Sequence, residues 1–232
     1  MKTIGLIGGT SWESTLEYYR LLNEFTKKRL GGLHSAQILM YSLDFGPVEQ
    51  AMRSGHWQAV ADELTHGARC LEQGGADFFL LCSNTTHKCA QEVAGSVQIP
   101  LLHIGQATGA EIRRLGLNKA GLLGTRFVMQ EDFLKGYLEK HFHLEILVPE
   151  FNEQETINRV IFEELCQGTF NDTSRRFFQG CIDRLKDRNA QCIILGCTEI
   201  PMLITAEDSA LPIIDTTALH AGAAVDQALA DL

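Results

Sequence analysis

Positive charge is in short supply. Twenty lysines and arginines stand against 29 aspartates and glutamates, a formal net charge of −9. No basic stripe is left to hold a phosphate backbone, so no nucleic acid is expected as a partner. No apolar run approaches the roughly 18–20 residues of a membrane-spanning helix, and no membrane partner is expected either. The opening MKTIGLIGG holds too short an apolar stretch for a secretory leader and lacks a small-residue cleavage site, which points to a cytoplasmic protein. CxxC is absent, and seven cysteines, an odd number in scattered positions, make no disulfide framework. Cys82, His87 and Cys89 lie close together in sequence but have no second ligand pair at zinc spacing, so no metal is expected. The G-x-G-x-x-G spacing is missing too. The run at Gly5, Gly8 and Gly9 reads Gly-Leu-Ile-Gly-Gly-Thr, and with Asp44 it mimics a dinucleotide site only loosely.

What is present is core. Of 232 residues, 45% are hydrophobic and 21% charged, which excludes a disordered chain and suits one large domain or two lobes of about a hundred residues each. The 21 glycines sit singly or in pairs where elements should end. Residues 3–7 read as a buried strand. A capping box is expected from Thr10 to Glu13, opening a helix through about Lys28 that Gly31 and Gly32 stop. Residues 36–45 read as a second strand, 56–75 as a helix, 77–82 as a buried strand with a helix opening near Asn84, and 99–104 as a further strand. This alternation argues α/β architecture with parallel sheets flanked by helices.

The second half repeats the first. GLIGGT at 5–10 returns as GLLGT at 121–125, FFLLCSNTT at 78–86 as IILGCTEI at 193–200, and IPLLHIGQATGAEI at 99–112 as LPIIDTTALHAGAA at 211–224. The offsets are 116, 114 and 112 (121 minus 5, 197 minus 83, 211 minus 99). Three matches in one order at nearly one offset mark a duplicated unit. The expectation is two lobes related by a pseudo-twofold, residues 1–98 plus 213–232 and residues 99–212, with the active site in the cleft between them. The helix after Asp215 is expected to cross back to the first lobe.

In open α/β sheets, ligands bind past the carboxyl ends of the strands. The residues there are Gly9-Thr10, Ser83-Asn84-Thr85, Gly124-Thr125 and Cys197-Thr198-Glu199. Small and hydroxyl-bearing groups at helix starts suit carboxylates, although the same residues also serve as plain helix caps. Cys197 is the sharpest of them. It stands between an apolar strand, Cys192 to Leu195, and a helix start with Pro201 in a first-turn position, where amides and the helix dipole should lower its pKa. Cys70, Cys166, Cys181 and Cys192 fall inside predicted elements and read as core thiols.

The segments GLIGGTSWEST, LGGLHSAQ, SNTTHK, LLGTRF and GCTEI together resemble the aspartate/glutamate racemase family, above all its proteobacterial branch of L-aspartate/glutamate-specific and broad-specificity amino-acid racemases. The resemblance spans essentially the whole chain. It implies an isomerase of amino-acid metabolism, a homodimer that needs neither pyridoxal phosphate nor any other cofactor. It also implies two thiols flanking the substrate α-carbon, one removing a proton and the other returning it on the opposite face.

This chain departs from that pattern. The first motif, usually Cys-Asn-Thr, reads Ser83-Asn84-Thr85, with Cys82 one place earlier. Adjacent strand residues point to opposite faces, so Cys82 is not expected to replace the missing thiol. His87, four residues on, could share a helical face with Ser83; the plainer expectation is an exposed helix residue. By the resemblance Cys197 is the L-side acid/base and Ser83 holds the opposite-face position, with Thr10, Asn84, Thr85, Thr125, Thr198 and Glu199 as substrate-binding candidates. Asp44 reads as structural, His34-Ser35 as a loop the resemblance places near the cleft, and Arg53 and Arg126 as candidate clamps for a distal carboxylate. One usable cysteine keeps a single-thiol enzyme of the same superfamily open, such as an arylmalonate decarboxylase or maleate isomerase. A non-catalytic amino-acid-binding protein and a nucleotide-binding α/β protein remain open as well.

Overall fold

The computed structural model describes residues 1–231 and divides into two compact units. One comprises Met1–Ile104 and the chain from His220 onward; the other is Gly105–Leu219. Leu232, the last residue of the expected first lobe, lies outside the described residues.

In the first unit three parallel strands take the order β2-β1-β3, with β1 at Ile4–Gly8, β2 at Ile38–Ser42 and β3 at Phe78–Leu81. Ile4 is opposite both Ile38 and Phe78. Strands β1 and β3 are buried at every position, which is why they read as unbroken apolar runs rather than alternating ones. Helix α1, Trp12–Leu30, is capped by Ser11, whose Oγ accepts the Ser14 amide. The expected capping box therefore gives way: the helix opens one residue later, and Thr10 is left out of the cap. Gly31, at φ 75, ends α1 with its amide on the Lys27 carbonyl. Helix α2, Phe45–Arg53, was not expected; Asp44 ends no strand but caps this helix, its Oδ1 accepting the Gly46 amide at 3.2 Å. Helix α3, Trp57–Gln73, and the short α4, Ala90–Ala94, complete this half.

The run 99–104 forms a single bridge, Leu101 to Phe79, instead of the expected strand. The Phe79 amide donates to the Pro100 carbonyl and the Leu102 amide to the Phe79 carbonyl before the chain turns into α5, Ile104–Arg114.

The second unit has four parallel strands in the order β5-β4-β6-β7: β4 Lys119–Gly124, β5 Glu145–Leu147, β6 Cys192–Gly196 and β7 Ile213–Asp215. Its helices are α6, Arg126–Gln130; α7, Asp132–Phe142; α8, Phe151–Glu163; α9, Asp172–Asp187; and α10, Ile200–Leu203. The repeat seen in sequence is a repeat of framework. Strand β1 between β2 and β3 corresponds to β4 between β5 and β6, and the Phe79 amide on Pro100 returns as the Ile193 amide on Pro212, at 2.9 Å. Ile157, Ile161, Phe178, Ile182, Ile193 and Leu195 build the core of this unit, and Cys197 is part of the same cluster.

Helix α11, Thr216–Leu229, starts where β7 ends and from His220 belongs to the first unit. There the Lys2 amide donates to the Ala228 carbonyl, and Arg29 pairs with Asp226 at 2.6 Å. The fully buried His220 ring is held on both sides. Its Nε2 donates to the Leu102 carbonyl at 2.8 Å, which leaves Nδ1 to accept from the Tyr18 hydroxyl at 2.9 Å. Burial holds this imidazole neutral, its pKa pushed down to about 3. Among the described residues, no helix is long and apolar enough to cross a membrane.

Candidate active site

Each unit sets two strand ends side by side. In the first, β1 pairs with β3, so Gly9-Thr10 and Cys82-Ser83-Asn84-Thr85 leave the sheet as neighbours. In the second, Gly124 lies opposite Gly196, and Thr125 leaves beside Cys197-Thr198-Glu199. The sequence candidates thus assemble into one group per unit.

In the first unit the loop after β1 is tied down by Thr15. Its hydroxyl accepts the Gly9 amide at 2.8 Å and donates to the Ser11 carbonyl at 2.9 Å. Gly9 has φ 88, and a side chain there would run into the Leu43 backbone, so only glycine fits. Thr10 is 8% exposed and its Oγ1 has no hydrogen-bond partner. A buried hydroxyl left unpaired costs about 1–3 kcal/mol, which favours a site that a ligand oxygen or nitrogen can complete.

Ser83 is half-buried, with Asn84 and Thr85 buried beside it in a turn that continues as a 3-10 helix, Thr85–Cys89. Cys82 is fully buried; burial pushes its thiol far above the ordinary range, so it stays protonated. His87 is not the exposed helix residue of the plainer expectation. It is 2% exposed, and its ring reaches the Ser83 carbonyl and not the Ser83 hydroxyl. The histidines around it, His103 and His220, were missed in sequence. The signal available was a histidine inside each of two repeated apolar segments.

In the second unit Thr125 caps α6, its Oγ1 accepting the Val128 amide. Cys197 Sγ donates to Glu199 Oε2 at 2.9 Å, and the Thr198 hydroxyl donates to the same oxygen at 2.9 Å. Cys197 and Glu199 are 9% and 5% exposed. Burial, then the Glu199 carboxylate and the Cys166 thiol, push the Cys197 pKa well above its ordinary value. This reverses the sequence expectation of a lowered pKa. The helix after Cys197 spans only four residues, too few for a strong dipole, while packing against the unit's core removes water from the thiol. The pair is a protonated thiol hydrogen-bonded to a carboxylate, an acid with a proton acceptor already in place.

The remaining candidates lie at the surface or in the core. Arg53 pairs with Glu49 at 2.7 Å in α2, and the exposed Arg126 guanidinium stacks over Phe127 at 5.3 Å. His34 and Ser35 are exposed. Cys181 and Cys192 are buried as expected of core thiols, whereas Cys70 and Cys166 are half-buried. Among the described residues, no group of three or more His, Cys, Asp or Glu side chains is placed to hold a metal ion.

Two parallel α/β units, each ending in a cluster of small polar side chains and one of them in a thiol–carboxylate pair, define a class of duplicated α/β proteins. The chain belongs to the Asp/Glu/Hydantoin racemase family, whose model matches residues 7–224. A crystal structure of a candidate Asp/Glu racemase from Yersinia pestis is 46% identical, with 99% of this chain and 100% of that one covered and a TM-score of 0.93. An aspartate racemase homologue from Pyrococcus horikoshii is 32% identical over 98% of this chain and 99% of its own, with a TM-score of 0.86. Among curated proteins, the broad-specificity amino-acid racemase RacX of Bacillus subtilis is 26% identical over 235 residues, covering 98% of both chains.

Proposed function

We propose that this protein is a cofactor-independent racemase of aspartate, glutamate or related amino acids. Cys197 is the acid/base for the L-enantiomer, and Ser83 is the group for the opposite face. The observation that carries the reading is the Cys197–Glu199 hydrogen bond at the end of β6. An amino-acid α-proton is very weakly acidic, so its removal needs a base generated in place and a stabilised carbanion. Glu199 Oε2 takes the thiol proton, the Sγ thiolate takes the α-proton, the Ser83 hydroxyl gives its proton to the opposite face of the α-carbon, and water carries the proton on Glu199 back to the Ser83 oxygen. The substrate ammonium group brings positive charge to a thiol whose pKa is raised, which draws that pKa back toward neutrality. Thr10, Asn84, Thr85, Thr125 and Thr198 supply hydroxyl, amide and backbone donors for the carboxylates.

Membership of the racemase family and the names of the Bacillus and Pyrococcus relatives support this reading over a single-thiol decarboxylase or isomerase. The test is α-proton exchange and inversion of amino-acid enantiomers in deuterated buffer, with Cys197→Ala as the key variant. The expected outcome is loss of all exchange with the fold kept, since removing one small thiol leaves little cavity. Exchange near the wild-type rate in Cys197→Ala overturns the assignment.

A further inference from the structure

We infer that His87 is a positioning residue for the Ser83 side of the reaction: its ring ties the Ser83 turn to the first amide of α5 and so sets where the Ser83 hydroxyl stands. The inference rests on Ser83 acting as proposed above. Both ring nitrogens of His87 are committed. Nδ1 lies 2.8 Å from the Ser83 carbonyl oxygen, which can only accept, so Nδ1 carries the hydrogen. The Ile104 amide donates to Nε2 at 3.1 Å, so Nε2 is bare. Ile104 opens α5, and an amide in the first turn of a helix has no acceptor within that helix. The imidazole is therefore at once a cap for α5 and an anchor for the turn after β3. Thr86 Oγ1 donates to the same Ser83 carbonyl at 3.0 Å, so two side chains fix that peptide and with it the direction of the Ser83 Cα–Cβ bond.

The surroundings keep the bridge neutral. His87 is buried against His103, whose ring stands edge-on at 4.6 Å, and His220, at 5.9 Å. Burial and these two imidazoles hold its pKa well below the ordinary value, and a second proton would forfeit the Ile104 bond. A group placed this way does not exchange protons with a substrate. It holds the backbone that carries one that does.

The experiment has two arms. Long-range proton–nitrogen correlation spectra of the wild-type protein, with His87 assigned by its loss in His87→Asn, report the tautomer directly. The expected result is a protonated Nδ1 and a bare Nε2 that do not titrate between about pH 5 and about pH 9. The opposite tautomer, or a ring that titrates in that range, overturns the inference. The second arm incubates L-aspartate and L-glutamate in deuterated buffer and follows L-side exchange, which needs Cys197, separately from inversion, which needs Ser83 as well. His87→Leu should lower the ratio of inversion to exchange by on the order of tenfold to a hundredfold, as a displacement near 1 Å does at a reacting group. His87→Asn, which keeps a donor where Nδ1–H stood, should restore most of the ratio. Exchange and inversion falling together in His87→Leu, or no recovery in His87→Asn, overturns the inference while the proposed function stands. A wild type that neither exchanges nor inverts either amino acid overturns both.

Discussion

Replacing Glu199 by glutamine isolates the charge beside the thiol. Glu199 Oε2 accepts from Cys197 Sγ at 2.9 Å, and this carboxylate is the main contributor after burial to the raised thiol pKa. Two unit charges about 4 Å apart interact by about 4 kcal/mol at an effective dielectric constant of about 20. Removing the carboxylate charge should therefore bring the thiol pKa down. Burial is untouched, so the thiol should remain above a free cysteine. The assay is iodoacetamide alkylation from about pH 6 to about pH 11, since only the thiolate reacts, with modification of Cys197 read by peptide mass spectrometry apart from the other cysteines. The midpoint for Cys197 is expected at lower pH in Glu199→Gln, with alkylation near pH 8 faster by at least about tenfold. Amino-acid α-proton exchange should move the other way and fall at least about tenfold, because glutamine cannot take up the thiol proton. A midpoint that stays or rises refutes the electrostatic account. Faster alkylation with undiminished exchange refutes Glu199 as the proton acceptor.

Ser83→Cys should raise inversion relative to L-side exchange, because a thiol gives up and accepts protons near neutrality far more readily than a hydroxyl; an unchanged ratio would mean that Ser83 takes no part in proton transfer. Acid sensitivity should trace in part to His220. Its folded-state pKa of about 3 lies below the ordinary 6.5, so protons are taken up on unfolding, and the stability present above about pH 6.5 is lost as pH falls toward 3. His220→Phe should flatten that slope in urea titrations while costing roughly 1–3 kcal/mol near pH 7 for the abandoned Tyr18 and Leu102 partners; an undiminished slope would place the titration elsewhere. Exhaustive dialysis against a chelator should leave racemase activity intact, and activity restored only by metal or pyridoxal phosphate would refute cofactor independence.

The strands β1, β3, β4 and β6 were legible in sequence because each is buried on both faces, so its apolar run needs no partner to be recognised. The duplication was legible for the same reason: it preserves the glycines and small polar residues that follow those strands. Features decided by distant contacts were not legible. The 99–104 run has the composition of a strand, yet only Leu101 bridges, because Ile104 is drawn into α5 and its amide onto His87. The Cys197 pKa failed for a related reason. A strand-to-helix junction is a local pattern and suggests a lowered value, but the desolvation that raises it comes from burial at the edge of a core assembled from residues far apart in sequence. His87 looked like a surface helix residue because nothing nearby in sequence announces a ring buried against residues 103 and 220.

The doubled framework has a genetic consequence. In an assembly of two identical half-length chains, any codon change would alter both copies of a position at once, and equivalent strand ends would always carry the same side chain. Here the two copies lie on one chain, and a change at one leaves the other alone. The offset of 114 that relates Ser83 to Cys197 is therefore also a record of independence, since equivalent places in the repeat now hold a hydroxyl and a thiol. Each position can be varied separately, so single substitutions can make the two strand ends differ in ways that no symmetric assembly of half-chains could.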